Sequence, residues 1–154
     1  MSFALRLSDF ERKLGAPEIN EDALLREAAS LLLRDARLDN RLEAFRLAGA
    51  FSDAAMLIHG AALPEHGFQL GLPPPLESGK RGQAFATHWR RGESFAMPFQ
   101  AETPARALLL AAVRGTLENH DARALSQCPT CRGLGWFITA ENRKLMCRHG
   151  KSAG

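Results

Sequence analysis

The chain has 154 residues, 45% of them hydrophobic and 24% charged, a composition that excludes a wholly disordered or collagen-like polymer. The length predicts about one domain, able to bury roughly 68–70% of its unfolded surface. The formal net charge is +3, but residues 1–119 hold 14 basic and 15 acidic side chains, net −1, while residues 120–154 carry a net +4. The excess positive charge therefore sits in the tail, a placement that suits an anionic partner such as nucleic acid.

In chain order, the first elements read as helices. Ser8-Asp9-Phe10-Glu11 has the form of a capping box, and Gly15-Ala16-Pro17 ends that short helix. Asn20, followed by Glu21 and Asp22, is the expected cap of a second helix. Its apolar stripe runs through Leu24, Ala28, Leu31, Leu32 and Ala36. A third helix is expected from Asn40, with Glu43 in the capping-box position and an apolar face of Leu42, Phe45, Leu47, Ala48 and Phe51. Gly49 weakens its middle, and Asp53 can cap a continuation through Met56, Leu57 and Ile58.

From Leu63 to Gly82 the helical pattern breaks at Pro64, Pro73, Pro74, Pro75, Gly67, Gly71, Gly79 and Gly82, which predicts a long Pro/Gly-rich surface loop. A short helix is expected over 83–91, carrying Phe85, His88 and Trp89, then an irregular stretch anchored by Phe95 and Phe99. The clearest helix begins at Thr103, a good cap, with Pro104 at the tolerated first position. Leu108, Leu109, Ala112, Val113 and Leu117 line one side of it, to about Glu118 or beyond. The longest apolar run, Ala107 to Val113, is far short of the about 20 residues that span a bilayer, so no membrane contact is expected. The N-terminus has no basic segment ahead of a long apolar stretch, so no secretory signal is expected and the expected location is the cytoplasm.

The tail carries the strong motif. Cys128-Pro129-Thr130-Cys131 is a C-x2-C pair, 15 residues precede Cys147, and His149 follows two positions later. Three clustered thiols beside a histidine read as metal ligands in a reducing compartment rather than as a disulfide framework. Gly133 tolerates the backbone angles of a tight knuckle, Trp136 to Thr139 favour a strand, and Glu141-Asn142-Arg143 supply a turn. Leu145, Met146 and Cys147 can return as a second strand, on which Cys147 and His149 share a face. The pattern predicts a small hairpin with structural zinc at Cys128, Cys131, Cys147 and His149; His120 is the rival fourth ligand.

Cys128 to Gly135, CPTCRGLG, resembles half of the CxxCxGxG repeat of DnaJ-type cysteine-rich domains. That family uses several copies and this chain has one, so the resemblance implies a zinc knuckle and does not extend to a chaperone role. The order C-x2-C, aromatic strand, Asn142-Arg143, then Cys147 is faintly similar to CGNR-type zinc fingers, which follow a helical domain in bacterial transcription regulators. Here the second pair is Cys-x-His and the CGNR tetrapeptide is missing. Neither resemblance reaches residues 1–127.

Other motifs fail. Around Glu77-Ser78-Gly79-Lys80-Arg81, Pro74 stands at the first glycine position of a phosphate loop and Arg81 replaces its Ser/Thr. His59, His66 and His88 lie in no HExxH or triad-like setting, and no serine sits in a GxSxG elbow. Phe85, Trp89, Phe95 and Phe99 fit a core better than a base-stacking platform.

The expectation is a mainly α-helical domain over 1–125, with the Pro/Gly-rich loop at 63–82, followed by a zinc-binding β-hairpin over 126–154. Its function would be non-enzymatic binding of nucleic acid through Arg132, Arg143, Lys144, Arg148 and Lys151, or regulation through that basic tail. The alternatives are a protein-interaction or assembly adaptor using the helical surface or the loop, and a metalloenzyme or iron–sulfur redox protein. The last needs an open metal position or a cluster; no general base is placed by sequence beside the site, and the spacing does not match an iron–sulfur fingerprint.

Overall fold

The structure is a computed structural model that describes residues 2–72, 82–93, 96–131, 134, 136–140 and 143–147. The elements run α1 (Phe3–Leu14), α2 (Glu21–Leu32), α3 (Asp39–Leu47), α4 (Phe51–Ala62), β1 (His66–Gly71), β2 (Ala84–Arg90), β3 (Met97–Ala101), α5 (Pro104–Ser126), β4 (Trp136–Ile138) and β5 (Lys144–Met146). About 55% of the described residues are helical, so the fold is mainly α with small antiparallel sheets. Among the described residues no helix is long and apolar enough to cross a membrane. The chain divides into two compact units, Met1–Gly115 and Thr116–Gly154.

In the first unit, helix boundaries follow the capping chemistry. α1 starts earlier than its Ser8 box predicts: Ser2 is the cap and its side chain accepts from the Leu5 N–H at 3.3 Å, which leaves Ser8 mid-helix. Asn20 caps α2 by accepting from the Asp22 N–H at 2.7 Å. α2 stops at Leu32, short of Ala36, and a 3-10 turn over Ala36–Leu38 feeds α3. The broad apolar face expected for α3 is absent: Leu42 is its buried residue and Leu47 is 78% exposed. Gly49, at φ 69°, breaks the chain between α3 and α4 because the left-handed region suits glycine. Thr103 caps α5, its hydroxyl accepting from the Arg106 N–H at 3.2 Å, and also donates to the Glu21 carboxylate.

The stretch expected as a loop and then a helix is instead a three-stranded antiparallel meander in the order β1-β2-β3. Residues 66–71 pair with β2 in the register Gly67↔Trp89, Phe68↔His88 and Gly71↔Phe85. β2 alternates buried Ala84, Ala86 and His88 with half-buried Phe85, Thr87 and Trp89, the period of two that a strand demands. Phe85, His88 and Trp89 also sit at i, i+3 and i+4, which is why a short segment read as helix. The glycines of β1 serve the aromatic rings opposite. A Cβ on Gly67 would lie 2.7 Å from the Trp89 ring, and one on Gly71 would lie 2.0 Å from Phe85 Cζ. The irregular stretch after β2 contains β3, with Phe99 half-buried. Pro73 to Pro75, Gly79 and Phe95 lie outside the described residues.

The core of this unit is built from Leu7, Phe10 and Leu14 of α1, Leu24, Leu25 and Ala28 of α2, Ala54, Ala55 and Ile58 of α4, and the start of α5. Ala105 to Leu109 and Ala111 to Val113 are buried on every side of α5, as for a helix packed all round. Arg106, 4% exposed, is the polar exception. Its guanidinium donates to the carbonyls of Leu14 at 3.1 Å, Ala16 at 2.8 Å and Ile19. The Leu14 carbonyl belongs to the last turn of α1, so the buried charge meets the negative end of a helix.

The second unit contains the end of α5 and a two-stranded antiparallel hairpin, with Trp136↔Met146, Phe137↔Leu145 and Ile138↔Lys144 paired. Beyond β4, Thr139 N–H donates to the Arg143 carbonyl at 3.0 Å, which closes the connection.

Candidate metal centre

Two local devices shape the cysteine cluster in the second unit. The C-x2-C turn carries Cys128 and Cys131, and the Leu134 N–H donates back to the Cys131 carbonyl at 3.0 Å. β5 then brings Cys147 back beside the turn. Cys128 Sγ and Cys147 Sγ are 3.6 Å apart, and all three sulfurs lie within 4.8 Å of one another. Cys131 is buried, the other two are half-buried, and none is in a disulfide. A tetrahedral ion with metal–sulfur bonds of ~2.3 Å holds its sulfurs ~3.8 Å apart, so this spacing fits one metal ion. Burial, then hydrogen bonds and charges from Cys128 and Cys131, push the Cys147 thiol up to about 11. A cation among the three would reverse that preference, because a coordinating thiol is deprotonated.

The remaining tail residues divide in two. Arg143 and Lys144 are exposed, and the Lys144 ammonium lies 4.3 Å from the centre of the Trp136 ring, within cation–π reach. Arg132, Arg148, Lys151 and His149 lie outside the described residues, as do Gly133, Glu141 and Asn142. His120 does not join the sulfurs; its Nδ1 lies 3.7 Å from the Asp121 carboxylate.

Sequence reasoning passed over a second cluster, in the first unit. His59 of α4, His66 of β1 and His88 of β2 pack ring to ring. His59 and His88 are 0% and 3% exposed. Burial, then the neighbouring histidines, push His59 down to about 4; burial and His66 push His88 down to about 4. Both are therefore neutral at pH 7. The signal available beforehand was the two-residue alternation that puts His88 on one face with Ala84 and Ala86.

An open cleft of about 480 Å³ near the end of α1 is lined by Glu11, Gln83, Gln100, Glu102 and Arg106. Its polar groups are partly committed: Glu11 pairs with Arg114, and Arg106 is bound to carbonyls. No protein family matches this chain, and no curated protein or solved structure does so.

Proposed function

We propose that the second unit is a zinc-clasped, non-enzymatic binding module whose partner is nucleic acid. Cys128, Cys131 and Cys147 hold the ion in this reading, with His149 as the fourth ligand. The observation that carries it is the convergence of three sulfurs within 4.8 Å beside a hairpin too small to stand alone. Each strand has three residues, and Ile138, Leu145 and Met146 are 56%, 42% and 74% exposed. A two-stranded hairpin with strands this short cannot offset the entropy of ordering it, and a metal cross-link supplies what a core would. Zinc suits a thiolate-rich tetrahedral set in which every position is filled by protein.

The nucleic-acid part of the reading is supported by the net +4 of residues 120–154 and by exposed Arg143 and Lys144 on the hairpin. Five phosphate contacts, from Arg132, Arg143, Lys144, Arg148 and Lys151, predict a log–log salt slope of about −4. Binding to duplex and single-stranded probes, measured across salt concentrations with metal content determined in parallel, tests both halves. About one zinc per chain and a steep slope is the expected result. Absent or salt-insensitive binding overturns the nucleic-acid reading, and a metal-free chain under reducing conditions overturns the clasp. A protein-docking role is the second reading, favoured by exposed Leu134 (63%) together with Ile138, Leu145 and Met146.

A further inference from the structure

The histidine cluster of the first unit is a physical anomaly. Neither ring nitrogen of His59 has a hydrogen-bond partner among the described residues, and the same holds for Nδ1 of His66 and Nδ1 of His88. A neutral imidazole carries one donor and one acceptor, and burying either unpaired costs about 1–3 kcal/mol. Four such atoms in one place are many for a small unit, where buried polar groups are almost all satisfied. The rings cannot be explained as ordinary core either. His59 packs edge-on against Phe68 with centroids 5.0 Å apart, and His88 packs edge-on against Phe99 at 5.2 Å, so apolar faces surround groups that prefer water.

We propose that His59, His66 and His88 form a site for a single divalent transition ion of the zinc, nickel or copper class, bound through their unpartnered ring nitrogens. The site is distinct from the cysteine cluster in residues and in ligand chemistry. Imidazole is the ligand these ions share, and burial keeps it in the neutral form that coordinates them.

The spacing of His88 from each of the other two rings fits. A metal–nitrogen bond of about 2.0–2.1 Å places each imidazole centre ~3.2 Å from the ion, so tetrahedral ligands have centres ~5.2 Å apart. His66 and His88 have centroids 5.2 Å apart, and His59 and His88 have centroids 5.8 Å apart. Among the described residues only the cysteine sulfurs are already drawn within 4.8 Å of one another. The imidazoles therefore have to turn about χ2, a broad torsion, while their centres stay in place. The backbone holds those centres firmly. His88 is seated against α5 at Gly115, where a Cβ would come 2.9 Å from His88 Cε1 and 2.6 Å from Leu63 Cδ1. His66, half-buried on the edge strand β1, gives the site its solvent-facing member.

The test uses the full-length chain with Cys128→Ser, Cys131→Ser and Cys147→Ser, titrated with zinc chloride. Calorimetry reads the stoichiometry, and nitrogen-15 NMR reads the imidazoles. About one equivalent should bind, with the resonances of His59, His66 and His88 shifting together and the melting temperature rising. Adding His66→Ala should weaken binding by more than the about 10–100-fold that loss of an outer-shell partner costs. No binding by the folded serine chain overturns the proposal. Binding that leaves these three resonances unmoved, or that ignores His66→Ala, overturns it equally. If the serine chain does not fold, the same resonances are read in the wild-type chain on zinc addition. Their shift there supports the site and their silence overturns it.

Discussion

The cysteine cluster and the histidine cluster each bring three donor side chains together, by opposite means. The cysteines come from positions 19 apart at most, on a turn and a hairpin where Ile138, Leu145 and Met146 are exposed. The histidines come from α4, β1 and β2, held in place by the packed core of the first unit. One cluster has donors in place and little scaffold; the other has a firm scaffold and donors still turned apart. An ion should therefore create structure at the cysteines and merely reorient side chains at the histidines.

The largest expected effect falls on the cysteine side. Cys131→Ser, or removal of metal by a chelator, should unfold the hairpin, since structural zinc supplies on the order of 10 kcal/mol in small metal-bound modules. Amide exchange at 136–138 and 144–146 should lose protection while the first unit keeps its melting temperature. Protection that survives without metal would break the contrast.

Arg106 probes the other scaffold. Arg106→Met removes the donors to the Leu14, Ala16 and Ile19 carbonyls. The Ala16 carbonyl keeps the Ile19 N–H, but the Leu14 and Ile19 carbonyls lose this donor, which should cost about 2–5 kcal/mol, read as a lower urea midpoint for the first unit. Metal content at the cysteines should not change.

Acidification comes next. In the metal-free folded chain His59 and His88 titrate at about 4, against 6.5 for the free group. Between pH 6.5 and about 4 the unfolded chain binds more protons, so the stability due to these histidines is complete above 6.5 and lost as pH falls toward 4. A shift of this size is about 3 kcal/mol for one histidine. Urea titrations at pH 7, 5.5 and 4.5 should show the decline, and His59→Phe should flatten it. An unchanged slope in that variant would mean that the histidines do not control it.

The smallest effects belong to the sheet. Gly67→Ala and Gly71→Ala push the Trp89 and Phe85 rings aside, at about 1–3 kcal/mol each, and should lower the thermal midpoint of the first unit by a few degrees. If both are neutral, the aromatic rings are not what requires glycine there.

Legibility follows the same division. The caps at Asn20 and Thr103, the end of α1 at Gly15, and the tail hairpin with its converging cysteines were readable, because each rests on interactions within one turn or one hairpin. The meander was not. Gly67 and Gly71 look like loop breakers until Trp89 and Phe85 lie across from them, and Phe85, His88 and Trp89 satisfy helical and strand spacing alike. Arg106 reads as one charged residue in an apolar helix until the end of α1 is folded against it. His59, His66 and His88 share no motif, since what unites them is the pairing register of β1 with β2 and the packing of α4. Local chemistry thus determined the helix caps and the cysteine knuckle from sequence alone. Only the tertiary structure decided the histidine cluster, because strand register and burial are set by the whole core at once.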